Sequence, residues 1–446
     1  MGPTERGAGM ERVAHPFVLR PALPLELRPS LMAATRWGFI TILAAQFFSA
    51  LADNALLFAA IALLKSLLAP NWHVPVLQQS FAFAAIALAP FVGPFADALP
   101  KGRVMLISNL LKMAGCAAML LGLHPLLAYG WVGIGSAMYS PAKYGILTEY
   151  FPPERLIWAN GWVEGLTVAA IILGAIVGGV LTGDTVSAFA LARLPDAIRM
   201  AGIDTVPEFA IAVIFLIYGL ATLANLKIPQ LPIDHKLPSR TPWFLVMDFI
   251  KSFKGLWADP LGRVSLAVTT LFWGAGTTLR LVILAWGAAS LQLDIEQATE
   301  LTSVVAVGIG IGAALAGESL VLTKAVRVLR IGILMGLTVA ATVFVTDWRL
   351  ALPLLLLIGV MGGYFVIPMN ALLQHRGHLL MGAGHSIAVQ NFNENIGILV
   401  MLGAYGLMLK LDFSIQAIAV ALGLFLAAAI GWLSLSHGHD QDHGEC

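Results

Sequence analysis

Between residues 36 and 435 the chain is a succession of apolar runs, each about one bilayer crossing long and each ended by proline, glycine or charge. In hydrocarbon every backbone N–H and C=O must find its partner within the protein, so runs of roughly 20 apolar residues fold as membrane-spanning helices. Twelve such runs can be drawn, at about 36–67, 75–97, 103–123, 126–148, 157–182, 208–227, 264–290, 298–318, 325–346, 350–374, 383–409 and 412–435. Only 11% of the residues are charged, less than half of the about 25% typical of soluble domains. A disordered chain, a basic nucleic-acid binder and a soluble enzyme are excluded on that ground. Two cysteines, Cys116 in an apolar run and Cys446 at the last position, make no disulfide framework.

The expected fold is an all-α polytopic membrane protein with twelve transmembrane helices in two six-helix bundles. Residues 1–35 carry Arg6, Arg12, Arg20 and Arg28 without the apolar centre of a signal peptide, and read as a disordered cytoplasmic tail. Residues 36–227 would form the N-terminal bundle, 228–263 a basic cytoplasmic linker, 264–435 the C-terminal bundle and 436–446 a His-rich cytoplasmic tail. Placing the N-terminus inside puts eighteen Lys and Arg on the cytoplasmic side against four outside (Arg193, Arg199, Arg349 and Lys410). Both termini are therefore expected in the cytoplasm.

An internal repeat supports the division into halves. An offset of 227 residues lays Pro141 on Pro368, Lys143 on Asn370, Arg103 on Arg330 and Asp53 on Arg280. With three more residues of shift, Glu164 falls on Glu394, each preceded four residues earlier by an amide, Asn160 or Gln390.

Charges inside the runs carry the functional signal. A charge at the bilayer centre costs roughly 2.5–3.5 kcal/mol even on the lenient insertion scale, so it must face a cavity or a partner. Asp53, Lys112, Lys143, Glu164, Arg280 and Glu394 hold such positions, three of each sign, which suits a zwitterionic solute. The repeat would set Asp53 opposite Arg280, either as a gate salt bridge or as two poles dividing a ligand's ammonium and phosphate. Lys143 is equally readable as the structural partner of a carboxylate. The stretch Gln390-Asn391-Phe392-Asn393-Glu394-Asn395 puts five polar side chains on more than one face of a helix, some towards neighbours and some towards a cavity. Gly165, Gly174, Gly178 and Gly179 in the fifth run read as small-residue helix packing. No phosphate-binding Gly-x-x-x-x-Gly-Lys-Ser/Thr loop is present, so ATP-driven transport by this chain is not expected.

The turn after the second run, Gly93-Pro-Phe-Ala-Asp97-Ala-Leu-Pro-Lys101-Gly-Arg103, resembles the cytoplasmic loop signature of the major facilitator superfamily, with Pro100 in place of a glycine. There Gly93 lets helices approach, while Asp97, Lys101 and Arg103 can clamp an inner gate. More specific strings resemble the bacterial lysophospholipid transporter (LplT) family. They are Gln46 to Phe58 around Asp53-Asn54, Tyr139 to Leu147 around Lys143, Leu271 to Gly276 with Leu279-Arg280, Ile358 to Gly363 running into Pro368 to Gln374 with Asn370, and Ala388 to Asn391 with Glu394-Asn395.

The resemblance covers about 37–435. It implies a non-enzymatic inner-membrane flippase that moves 2-acyl-glycerophosphoethanolamine and related lysolipids to the cytoplasmic leaflet by alternating access. Re-acylation would follow by an acyltransferase–acyl-carrier-protein synthetase, here expected as a separate chain. It also maps the family's embedded charges onto Asp53, Lys143 and Arg280. The candidate substrate-contacting set is Asp53, Asn54, Lys143, Glu164, Arg280, Asn370, Gln390 and Glu394; the gating set is Gly93, Asp97, Lys101 and Arg103. No cofactor or metal is expected, and coupling to Na+ or H+ stays open among Asp53, Glu164 and Glu394. Two other readings remain: a major facilitator exporter of drugs or metabolites, and a non-transporting membrane scaffold for the acyltransferase.

Overall fold

The computed structural model describes residues 28–70, 72–183, 203–229 and 241–442. The expected tail up to residue 27, most of the 183–207 loop, Lys236 and Arg240 of the linker, and the last four residues lie outside them.

Thirteen long helices follow one another among the described residues. They are α1 (Arg28–Ser66), α2 (His73–Ala98), α3 (Lys101–Leu120), α4 (Pro125–Tyr150), α5 (Leu156–Thr182), α6 (Val206–Leu226), α7 (Pro242–Ala258), α8 (Pro260–Ser290), α9 (Ile295–Ser319), α10 (Leu329–Ala341), α11 (Trp348–Leu380), α12 (Ala383–Lys410) and α13 (Ile415–Asp442). Among the described residues, eleven segments are long and apolar enough to cross a membrane. Of the twelve expected, α4 is the one not among them. It has 26 residues, but Gly, Ser, Tyr, Pro141 and Lys143 dilute its apolar content. α1 begins eight residues before the expected position 36, and α13 runs on into the expected tail. The linker contains α7, an amphipathic helix that buries Phe249, Ser252 and Leu256 and exposes Trp243, Met247, Lys251 and Lys254.

The helix starts follow from local chemistry. Pro occupies the first turn of α4, α6, α7 and α8, where no backbone N–H is needed. Thr205 with Glu208, and Asp294 with Gln297, form reciprocal capping boxes at α6 and α9. Asp259 caps α8 by accepting from the Gly262 N–H at 2.8 Å and also holds Arg376 of α11, whose Nε lies 3.0 Å away. Partial burial would raise the Asp259 carboxyl. The Arg376 hydrogen bond, the Gly262 N–H and the Arg376 charge outweigh it and bring the group below the usual carboxylate range.

Helices α1–α6 pack on one another, as do α8–α13. The seam between α9 and α11 shows what drives close approach where water cannot. Gly308 and Gly312 face Gly359 and Gly363, two small-x-x-x-small pairs crossing backbone against backbone. A Cβ on Gly312 would sit 2.0 Å from the Val360 carbonyl oxygen, and one on Gly363 2.1 Å from that of Ile309. Gly174 and Gly178 do the same for α5 on α1, against the carbonyls of Leu51 and Ala55, as expected; Gly165 and Gly179, read the same way from the sequence, have open space around them and make no such contact. Gly312→Val is therefore expected to destabilise the protein by about 3 kcal/mol or more, read as loss of monodisperse protein and a lower melting temperature in detergent. Gly403→Ala, at a position with open space around it, should leave both unchanged.

Candidate functional site

The N-terminal helices form an open cavity of about 390 Å3, walled by α1, α2, α4 and α5, with charged and polar side chains set in a largely apolar lining. Asp53 and Asn54 of α1, Lys143 and Tyr144 of α4 and Thr167 of α5 line it. Asp53 is the most elaborately held. Its Oδ2 accepts from Lys112 Nζ of α3 at 2.7 Å, and its Oδ1 from the Tyr218 hydroxyl of α6 at 2.6 Å. Lys112 is 1% exposed and also reaches Ser49 Oγ at 3.1 Å, whose hydroxyl donates to Asn109 at 2.7 Å. Its ammonium lies 4.8 Å from the centre of the Tyr139 ring. In a low-dielectric interior such a pair is favourable only when the remaining lone pairs and protons are bonded too, and here most of them are.

This arrangement corrects one expectation. Asp53 does not meet Arg280. Lys112 of α3, in the same set of helices as Asp53, takes the carboxylate. Arg280 is exposed on α8 and makes no ion pair among the described residues. Asn54 donates within its own helix to Ala50 O at 2.8 Å and turns its side chain to the cavity wall.

Deeper in the cavity, Lys143 is 9% exposed, and its Nζ donates to Thr167 Oγ1 at 3.1 Å and lies over the Tyr144 ring. The Tyr144 hydroxyl donates to Glu164 of α5. Gln46 Nε2 shares Thr167 at 2.7 Å and the Val163 carbonyl at 2.8 Å, which ties α1 to α5. On the C-terminal side, Gln390 Nε2 joins Asn370 Oδ1 at 2.9 Å and Glu394 Oε1 at 2.8 Å, linking α11 to α12. Asn160, the expected companion of Glu164, instead exchanges a reciprocal amide pair with Gln374 of α11 at 2.8 and 2.9 Å.

The hydrogen bonds identified between α1–α6 and α8–α13 run from mid-helix to one end of the molecule, the end bearing the α2–α3 turn. Ser140 meets Asn391 halfway along, then Asn160 meets Gln374, and Asp97 closes the end. Asp97 is 4% exposed. Its oxygens accept from Lys101 Nζ at 2.6 Å, from the Gly384 N–H at 2.8 Å and the His385 N–H at 3.0 Å, and contact His385 Nδ1 at 2.6 Å. A carboxylate on the first free N–H groups of α12 is the electrostatically favoured cap of a helix start. Lys101 continues to Glu149 of α4 at 3.3 Å. Gly93 makes the approach possible, since a Cβ there would lie 3.0 Å from His385 Cα. Arg103 is exposed one turn away.

The structure thus brings Asp97, Lys101 and Gly93 together. It also brings Asp53, Asn54 and Lys143 to one cavity, with Glu164 bound to the wall-forming Tyr144. It leaves Arg280 apart. Sequence reasoning missed Tyr144, Tyr218 and His385; a phenol inside an apolar run reads as packing, and a histidine next to a turn reads as surface.

The Major Facilitator Superfamily model matches residues 42–402. The lysophospholipid transporter LplT of Serratia proteamaculans (strain 568) is 43% identical over 400 residues, covering 90% of this chain and 95% of that protein. LplT of Yersinia pestis (strain Pestoides F) is 44% identical over 382 residues, covering 85% and 89%. Among solved structures, the E. coli fucose:proton symporter FucP superposes with a TM-score of 0.72 at 12% identity, covering 91% of this chain and 99% of that one.

The Asp53–Lys112 pair yields a direct expectation. Lys112→Met strands a half-buried carboxylate and should cost about 3 kcal/mol of stability, measured by thermal unfolding in detergent. The double variant Asp53→Asn/Lys112→Met should recover much of that loss.

Proposed function

This chain belongs to the lysophospholipid transporter family of the major facilitator superfamily, and on that premise we propose that it moves lysophospholipids across the bacterial inner membrane, towards the cytoplasmic leaflet. The observation that carries the reading is the identity of over 40% along nearly the whole length of proteins named for that transport. A polar cavity holding Lys143 beside an otherwise apolar molecule is consistent with it.

The chain would comprise twelve transmembrane helices, α4 included, in halves 36–227 and 264–435 joined by the linker 228–263, with both termini cytoplasmic. The eighteen-to-four split of Lys and Arg supports that orientation. The end sealed by Asp97 is then cytoplasmic, and the cavity opens to the other side. A lysolipid headgroup enters between the halves, and its phosphate is drawn to Lys143 in the cavity; Arg280, outside that cavity in this structure, would join it as the halves rock, and neither cation has a carboxylate bonded to it among the described residues. Its ammonium goes to Glu164 or Glu394. The role expected of Asp53 changes accordingly: with Lys112 balancing its charge, it shapes the cavity and orients neighbours more than it attracts a cation. For a coupling ion, Na+ or H+, Glu164 and Glu394 are better placed for the same reason. Asn54, Asn370 and Gln390 complete the polar lining. The acyl chain stays in lipid or an apolar lateral cleft while the halves rock about the site. An acyltransferase–acyl-carrier-protein synthetase would re-acylate the product.

Arg280→Gln should lower lysophosphatidylethanolamine uptake by spheroplasts about tenfold at subsaturating substrate, the loss of one charge-assisted contact, with unchanged protein level. Unchanged uptake would remove Arg280 from headgroup binding.

A further inference from the structure

The linker helix α7 turns a mixed face outward. Trp243, Met247, Ile250, Lys251 and Lys254 recur at intervals of three and four residues, so they share one side of the helix. Trp243 is 74% exposed, Met247 47% and Ile250 39%, and both lysines are exposed as well. The opposite side, with Phe249, Ser252 and Leu256, is buried where α7 packs on α2, α8 and α12. The carboxylates of this segment are engaged away from the outer face. Asp248 Oδ2 lies 3.0 Å from His385 Nε2 at the start of α12, and Asp259, just past the last turn, holds Arg376 of α11.

Large apolar side chains displayed together on one helix face mark a surface that something apolar covers. Connectivity says what lies there. α7 ends at Ala258 and α8, a membrane-crossing segment, begins at Pro260, so Asp259 alone separates them. The 31 residues of α8 span about 46 Å, enough for the hydrocarbon and both headgroup layers. Its first turn therefore stands in a headgroup layer, and the last turn of α7, with Lys254 and Trp257, stands beside it. Phe253 sets its ring 6.2 Å from that of Phe392, which ties α7 to a second crossing helix, α12. With 17 residues α7 is not itself a crossing segment. A helix held at this level, with tryptophan, methionine and isoleucine beside lysines, has the chemistry of one lying in the interface. The apolar groups settle below the headgroups, and the lysines extend their stems to the phosphates.

We propose that the outward face of α7 is a docking surface for anionic phospholipid: Trp243, Met247 and Ile250 sink into the bilayer interface, and Lys251 and Lys254 bind the phosphates of negatively charged headgroups. A phosphatidylcholine phosphate is offset by its own ammonium, so two lysines with no carboxylate on their face favour lipids of net negative charge. The linker is thereby fastened to one leaflet, the cytoplasmic one on the orientation given above. The inference rests on the chain crossing a membrane and is independent of the solute carried.

In full-length protein with Cys446→Ser, and with Cys116 left buried, an environment-sensitive fluorophore on Met247→Cys reports what touches this face. Vesicles of phosphatidylethanolamine hold a fixed fraction of phosphatidylglycerol or of phosphatidylcholine, brominated high on the acyl chains as a contact quencher. The label should emit to the blue of its emission in water and be quenched by both lipids, at least about threefold more strongly by phosphatidylglycerol. Lys251→Gln/Lys254→Gln should bring the two lipids to equality. Lys251→Arg/Lys254→Arg should keep the preference, which separates a charge effect from misfolding. A label that stays wet and unquenched, leaving the face to a soluble partner, or a parent that does not distinguish the two lipids, would overturn the proposal. None of these outcomes depends on lysolipid movement, so docking and transport fail separately.

Discussion

The carboxylate of Asp97 is the point on which the closed arrangement depends. It is one buried group serving helices from both halves: its own α2, the Lys101 that opens α3, and the first N–H groups of α12. A buried charge is tolerable only when its partners are in place, and here those partners include the backbone of the opposite half. The same requirement makes the contact all-or-none. Separating α2 from α12 leaves Asp97 short of two backbone donors and the His385 ring at once, so the seam is held by a few strong interactions that form or break together.

The same rule is applied differently in the N-terminal half. Asp53 is closed off by Lys112 and Tyr218 from its own set of helices, so its bonds do not cross between the two sets. Lys143, Glu164 and Glu394 are tied instead through hydroxyls and amides (Thr167, Tyr144 and Gln390), which are weaker ties to charged groups than ion pairs would be. Groups held this way keep charge available for a solute. A rigid ion pair inside one half beside loosely bonded charges near the seam is what a carrier with a polar site requires.

Much of this was legible in the sequence, because the bilayer leaves few choices. Apolar runs became helices close to where they were drawn, and Asp97 was placed by the spacing of Gly93, Asp97 and Lys101 around a turn. Pairing was not legible. Offset matching related Asp53 to Arg280 by symmetry, and symmetry says which positions are equivalent, not which are near. Lys112 won because α3 packs on α4 and α6 and its long side chain reaches across to α1, a matter of three-dimensional packing that periodicity does not encode. α7 was hidden for another reason: 17 residues of mixed character between prolines look like linker until they are seen folded against α2 and α12.

Polar groups with no business in hydrocarbon are retained here in two sets, one at the contact of α2 with α12 and one lining a cavity, and lysophospholipid transport is the activity they would serve. Purified protein reconstituted into liposomes carrying fluorescent lysophosphatidylethanolamine in the outer leaflet tests that most directly. Loss of the outer-leaflet signal should be much faster than in protein-free liposomes and should be suppressed by unlabelled lysophosphatidylethanolamine. Equal rates with and without protein would contradict transport by this chain.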